Sequence, residues 1–121
     1  MRLHHVNVVV PPGRTDDVVP FYEALGMARV AKPTQGLAQS GAWFDLPDGR
    51  TQLHVSERPG EHHADQHFAL VVDDLDALVA TLRGAGHPWE PKPGLLGARR
   101  GMTADPQGNA VELVEAAGDV A

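Results

Sequence analysis

The chain contains no cysteine, which excludes disulfides, thiolate metal sites and a thiol nucleophile of its own. Any thiol chemistry would have to come from a substrate. No stretch approaches the roughly 18 apolar residues that a membrane-spanning helix needs. Met1 leads straight into a strand pattern, without the basic and apolar regions of a secretory signal. These absences predict a soluble, cytoplasmic protein with no membrane partner. Blocks of like charge are missing too: 10 Lys and Arg against 16 Asp and Glu give a net charge of −6, with the acids scattered along the chain. That argues against nucleic acid as a partner and is compatible with a cationic small molecule. At 121 residues and 42% hydrophobic content, the chain is read as one domain over residues 1–121 with a modest core.

What is present is an echo between two halves, about 1–60 and 64–118. Leu3-His4-His5-Val6 opens the first half and Gln66-His67-Phe68-Ala69 the second. His5 and His67 are separated by nearly the same interval as Gln52 and Glu112, so each pair is expected at matching places in its half. Alternation of Val6, Val8 and Val10 with His5, Asn7 and Val9 predicts a strand over Leu3 to Val10. Val18, Phe21, Tyr22 and Leu25 predict a helix from a capping start at Thr15/Asp16 to Gly26, which Pro20 delays or bends. Strands follow at Ala28 to Ala31, Gly41 to Leu46 and Thr51 to Ser56, the last two joined through Pro47-Asp48-Gly49. The second half repeats the order. It has a strand at His67 to Val72, a helix with the stripe Leu75, Leu78, Val79 and Leu82, and strands at His87 to Glu90, Ala98 to Ala104 and Asn109 to Glu115. Arg58 to Ala64 is the linker.

One parity of these strands is apolar and wants the helices: Leu53 and Val55, Phe68 and Leu70, Val111 and Leu113. The other leaves His5, Gln52, His54, His67 and Glu112 on the opposite side. Two imidazoles and a carboxylate from separate strands, His5, His67 and Glu112, can hold a divalent ion with sites left open for substrate. Gln52 offers a fourth oxygen, and His54 can orient a bound group or take a proton. Asn7 shares the face of His5. Trp43 and Phe44 point to opposite faces, with Trp43 assigned to the pocket. Arg99 and Arg100 present donor forks suited to a substrate carboxylate or phosphate. His4, His62, His63 and His87 read as ordinary polar residues.

Leu3-His4-His5-Val6, Phe21-Tyr22-Glu23-Ala24-Leu25-Gly26, the run from His67 to Asp76 and the run from Asp105 to Leu113 together resemble the vicinal oxygen chelate superfamily over nearly the whole chain. That superfamily includes glyoxalase I, fosfomycin-resistance thiol transferases, extradiol dioxygenases and bleomycin-resistance proteins. The resemblance implies an α+β fold of paired βαβββ modules forming a cupped sheet around a metal or ligand site, and a homodimer. It places His5, His67 and Glu112 at metal-ligand positions, for Fe, Mn, Ni, Co or Zn. Gln52 stands where glyoxalase I-like bacterial members carry a carboxylate, which leaves Glu112 as the one evident carboxylate base. The function implied is a metal-dependent enzyme on a small, oxygen-rich substrate, of lyase or isomerase, thiol transferase or dioxygenase type. The alternative is a non-catalytic protein that sequesters a small molecule. Specificity is assigned to the loops near Lys32 to Ser40 and Pro91 to Arg100.

Overall fold

In a computed structural model of the chain, residues 1–33, 36–95 and 97–116 are described. Thr34, Gln35 and Leu96, which fall in the two loops assigned to specificity, lie outside the described residues, as does the end of the second half from residue 117. The chain divides into two compact units, Met1–Glu61 and His62–Ala121. Each has the order βαβββ, so the fold is α+β. Unit 1 runs β1 (His5–Val10), α1 (Thr15–Ala24), β2 (Ala28–Val30), β3 (Ala42–Asp45) and β4 (Gln52–Glu57). Unit 2 runs β5 (His67–Val72), α2 (Leu75–Gly84), β6 (Glu90–Leu95), β7 (Ala98–Ala104) and β8 (Ala110–Glu115). The sheets are ordered β1-β4-β3-β2 and β5-β8-β7-β6, with the first strand of each unit parallel to its last. No described helix is long and apolar enough to cross a membrane.

In unit 1 the apolar parity meets α1. Val18, Phe21 and Tyr22 bury against Val8, Val10, Phe44, Leu53 and Val55, with Tyr22 and Phe44 rings 5.8 Å apart. Pro20 lies inside α1, and the helix still starts at Thr15 rather than late. Its cap is also not the local one expected, because Arg14 occupies the cap position and its side chain caps no backbone N–H. The Glu57 carboxylate supplies the acceptor instead, taking bonds from the Gly13 N–H (3.0 Å), the Thr15 N–H (3.4 Å) and the Thr15 hydroxyl (2.6 Å). A carboxylate at a helix N-terminus satisfies orphan donors and complements the dipole. Gly41 allows β3 to reach β4, since a Cβ there would lie 2.2 Å from the Val55 carbonyl oxygen and the backbone adopts φ +90°.

In unit 2, Leu75, Val79 and Leu82 of α2 are buried, as are Val111 and Leu113 of β8. Asp74 caps α2 locally, accepting from the Ala77 N–H at 3.0 Å. The second strand of this unit is not at His87 to Glu90; β6 begins at Glu90 and continues through Pro91 and Pro93. It is an edge strand paired on one side to β7, where prolines are tolerated because the outer N–H groups are not needed. Gly101 on β7 is required by the same pairing: a Cβ there would stand 2.6 Å from both the Glu90 carbonyl oxygen and the Trp89 indole.

Candidate functional site

The polar face of the unit 1 sheet is built by register. His5 lies opposite Gln52 on the parallel β1–β4 ladder, Asn7 lies opposite His54, and on β3 Asp45 and Trp43 lie opposite Gln52 and His54. Successive residues of one parity therefore form an aromatic stack. The His54 ring lies 4.0 Å from Trp43 at 1° and 4.1 Å from His5 at 18°. Beside it, Gln52 donates its amide N–H to Asp45 Oδ1 at 2.9 Å, which fixes Gln52 Oε1 as acceptor for His54 Nε2 at 3.0 Å. The tautomer follows: Nε2 carries the proton and Nδ1 keeps its lone pair. Burial, with the positive fields of His5, His4 and Lys32, pushes the His54 imidazole down to about 4, so it is neutral at physiological pH. His4 Nδ1 and His5 Nδ1 are 2.9 Å apart.

A cavity of about 220 Å³ opens on this face of unit 1. Asn7, Trp43, His54 and Ser56 line it together with Lys32 and Arg58. The Ser56 hydroxyl donates to Asn7 Oδ1 at 2.9 Å. Neither Lys32 nor Arg58 was singled out as a site residue from the sequence. Arg58 continues the parity of Gln52, His54 and Ser56 just past the end of β4, and that was its only signal.

Unit 2 carries different chemistry on the same parity. His67 Nδ1 lies 2.9 Å from the Asp65 carbonyl oxygen, which can only accept, so Nδ1 carries the proton. Nε2 faces Glu112 Oε1 at 3.2 Å. An imidazole lone pair against a carboxylate oxygen is repulsive unless a proton, on either atom, or a metal cation lies in the contact. Donation of the other ring N–H to a backbone carbonyl is also how metal-bound histidines are commonly held. The donor set therefore suits a divalent ion, although among the described residues no three His, Asp or Glu side chains form a ready-made cage. Arg100 Nη1 approaches the other oxygen, Glu112 Oε2, at 3.5 Å, and its Nε donates to the Pro93 carbonyl at 3.1 Å.

Arg99 goes to the opposite face. It bonds both oxygens of Asp76 on α2 (2.9 and 3.3 Å) and Glu115 on β8 (3.0 Å). Register also separates Gln52 from Glu112. His67 lies opposite Ala110, and Glu112 is the next residue along that face, opposite Met102. The unit 1 residue in that place is His54, opposite Trp43, because unit 1 carries a longer chain between its first and last strands. The near-equal intervals in sequence thus do not put Gln52 and Glu112 at matching places.

The profile of the Glyoxalase/Bleomycin resistance protein/Dioxygenase superfamily matches residues 2–113. Among solved structures, a glyoxalase family protein from Bacillus anthracis is 26% identical with a TM-score of 0.83, over 95% of this chain and 94% of that one. A lactoylglutathione lyase from Agrobacterium tumefaciens is 19% identical (TM-score 0.71; 96% and 94% covered), and TnmS3, an antibiotic binding protein from Streptomyces sp. CB03234, is 22% identical (TM-score 0.74; 95% of each chain). The latter two likenesses are of fold. No curated protein matches significantly. With a profile spanning almost all of both βαβββ units, the chain belongs to the Glyoxalase/Bleomycin resistance protein/Dioxygenase superfamily.

Proposed function

We propose that the chain is a glyoxalase-like metalloenzyme acting on a small, oxygen-rich substrate. In this reading His67 and Glu112 hold a divalent ion, with His5 as third ligand, supplied by the same chain or by the partner of a homodimer. One observation carries it: with His67 Nδ1 bonded to the Asp65 carbonyl, Nε2 faces Glu112 Oε1 at 3.2 Å, a contact that a proton or a divalent ion must bridge. An ion of the Fe, Mn, Ni, Co or Zn class would supply Lewis-acid polarisation of two neighbouring substrate oxygens. Glu112 moves the proton through a carboxylate oxygen, and Arg100 fixes the carboxylate's orientation. His54 accepts a hydrogen bond at Nδ1 from a substrate hydroxyl, its ring held by Trp43, His5 and Gln52. Gln52 acts here as a positioning residue for His54, and Asn7 and Trp43 line the substrate side. Arg99, clamped to Asp76, serves the fold.

A second reading, small-molecule sequestration without turnover, is favoured by the Arg100 guanidinium beside Glu112, which offers the carboxylate a cation without any metal. Elemental analysis of untagged protein after exposure to Fe(II), Mn(II), Ni(II), Co(II) and Zn(II) separates the two. The metalloenzyme reading expects about one equivalent per chain, lost in both His67→Ala and Glu112→Gln. Metal content unchanged by both substitutions, or nil throughout, would sink it in favour of sequestration.

A further inference from the structure

We infer that the unit 1 cavity takes a small organic anion, whose acid group meets Lys32 and Arg58 and whose body packs beside Trp43. This deepens the reading of that face as the substrate side and rests on it. The net charge of −6 points toward cationic ligands, but a ligand responds to the charges that line its own pocket, since exposed charges farther than about 10 Å are largely screened.

Among the lining residues, Lys32 and Arg58 are the cations and Glu57 is the one acid. Glu57 does not neutralise them, because its carboxylate is turned to the start of α1 and takes the Gly13 and Thr15 bonds there. Among the described residues neither cation has a carboxylate partner. Lys32 donates to the Ala38 carbonyl, and Arg58 to the Glu57 carbonyl at 2.7 Å. These are neutral acceptors, so both charges remain uncompensated. Elsewhere among the described residues Arg14, Arg29, Lys92, Arg99 and Arg100 each meet an acid and Arg2, Arg50 and Arg83 do not, so what sets Lys32 and Arg58 apart is that they line one cavity. The remaining wall is uncharged, with Asn7 and Ser56 bonded to each other and Trp43 flat against His54. Two unpaired cations over a neutral, partly aromatic wall select an anion with a compact, planar or apolar body.

Three probes of one shape and different charge test this: benzoate, benzamide and benzamidine, titrated into the full chain and followed by the Trp43 indole N–H and the Asn7 and Ser56 amides in NMR spectra. Benzoate should bind more tightly than benzamide, and benzamidine most weakly. In the double variant Lys32→Gln/Arg58→Gln benzoate affinity should fall about tenfold or more, the scale of charge-assisted hydrogen bonds. The charge-conserving Lys32→Arg/Arg58→Lys protein should retain it, which separates lost charge from damaged structure. Benzamidine binding as tightly as benzoate would overturn the inference, as would an undiminished benzoate affinity in the Gln variant or no response of Trp43 to any probe. None of these readouts requires a metal, so the inference and the metalloenzyme reading fail separately.

Discussion

The two units share element order, strand order and parallel closure of first strand onto last, yet they spend the same polar parity on opposite chemistries. On unit 1 the positions around His54 are filled by rings: Trp43 on one neighbouring strand, His5 stacked from the other. At the register-equivalent place unit 2 has Glu112, flanked by Met102, His67 and Arg100. The first is a ring stack around a neutral His54 beside uncompensated cations, and the second a carboxylate met by the cation of Arg100. A backbone plan therefore fixes where side chains project, while the residue at each register position decides which sign of charge is attracted. Their interiors differ in kind as well, aromatic in unit 1 with Phe21, Tyr22 and Phe44, and aliphatic in unit 2 with Leu82, Val111 and Leu113.

The interior contrast gives the largest expected effect. Phe44→Ala removes a fully buried ring in contact with Tyr22 and should cost about 3–5 kcal/mol by urea denaturation. A loss below about 1 kcal/mol would mean that the aromatic interior is not what holds unit 1. Next is Gly101→Ala, whose Cβ meets the rigid Glu90 carbonyl as well as the Trp89 ring. We expect about 2 kcal/mol of destabilisation with a shifted Trp89 indole resonance, and an unperturbed Trp89 would contradict the seat described for it.

The helix caps sharpen the comparison at a smaller scale. Asp74→Ala should cost about 1 kcal/mol, and Glu57→Ala should also lower the urea midpoint, although one acceptor comes from the helix's own start and the other from a distant strand. Should Glu57→Ala prove neutral, α1 is held by burial alone. The mildest effect is with pH in the metal-free protein. His54 titrates in the fold at about 4 and in the unfolded chain near 6.5, so between those values the unfolded chain binds the extra proton. Stability should fall as pH drops through that window and level off below it. Its neighbours His5, His4 and Lys32 oppose the added charge. A His54 side chain that NMR finds titrating near 6.5 would refute its burial as a neutral ring in the stack.

Much of the architecture was legible in the sequence because it depends on local periodicity. The strand His67–Val72 and the strand Ala98–Ala104 have the limits that their alternation predicts, and α2 follows its leucine stripe. What local pattern cannot carry was missed. Pro91 and Pro93 hide β6, since only its edge position makes them tolerable. Glu57 as the α1 cap is invisible because donor and acceptor are far apart in sequence. The echo between Gln52 and Glu112 misleads for the same reason: register is set by pairing, and loops of different length shift it. Lys32, at the edge of a loop assigned to specificity, and Arg58, in the linker, carry no motif, and the cavity is what brings the two together.

The most direct test of the central claim, that the His67–Glu112 contact is a cation seat, reads the histidine ring nitrogens themselves by long-range ¹H–¹⁵N NMR with and without Zn(II). The account predicts a protonated His67 Nδ1 in both states and a His67 Nε2 that shifts to the metal-bound range on adding zinc, with the shift abolished in Glu112→Gln. A His67 Nε2 that keeps its proton in the presence of saturating zinc would contradict it.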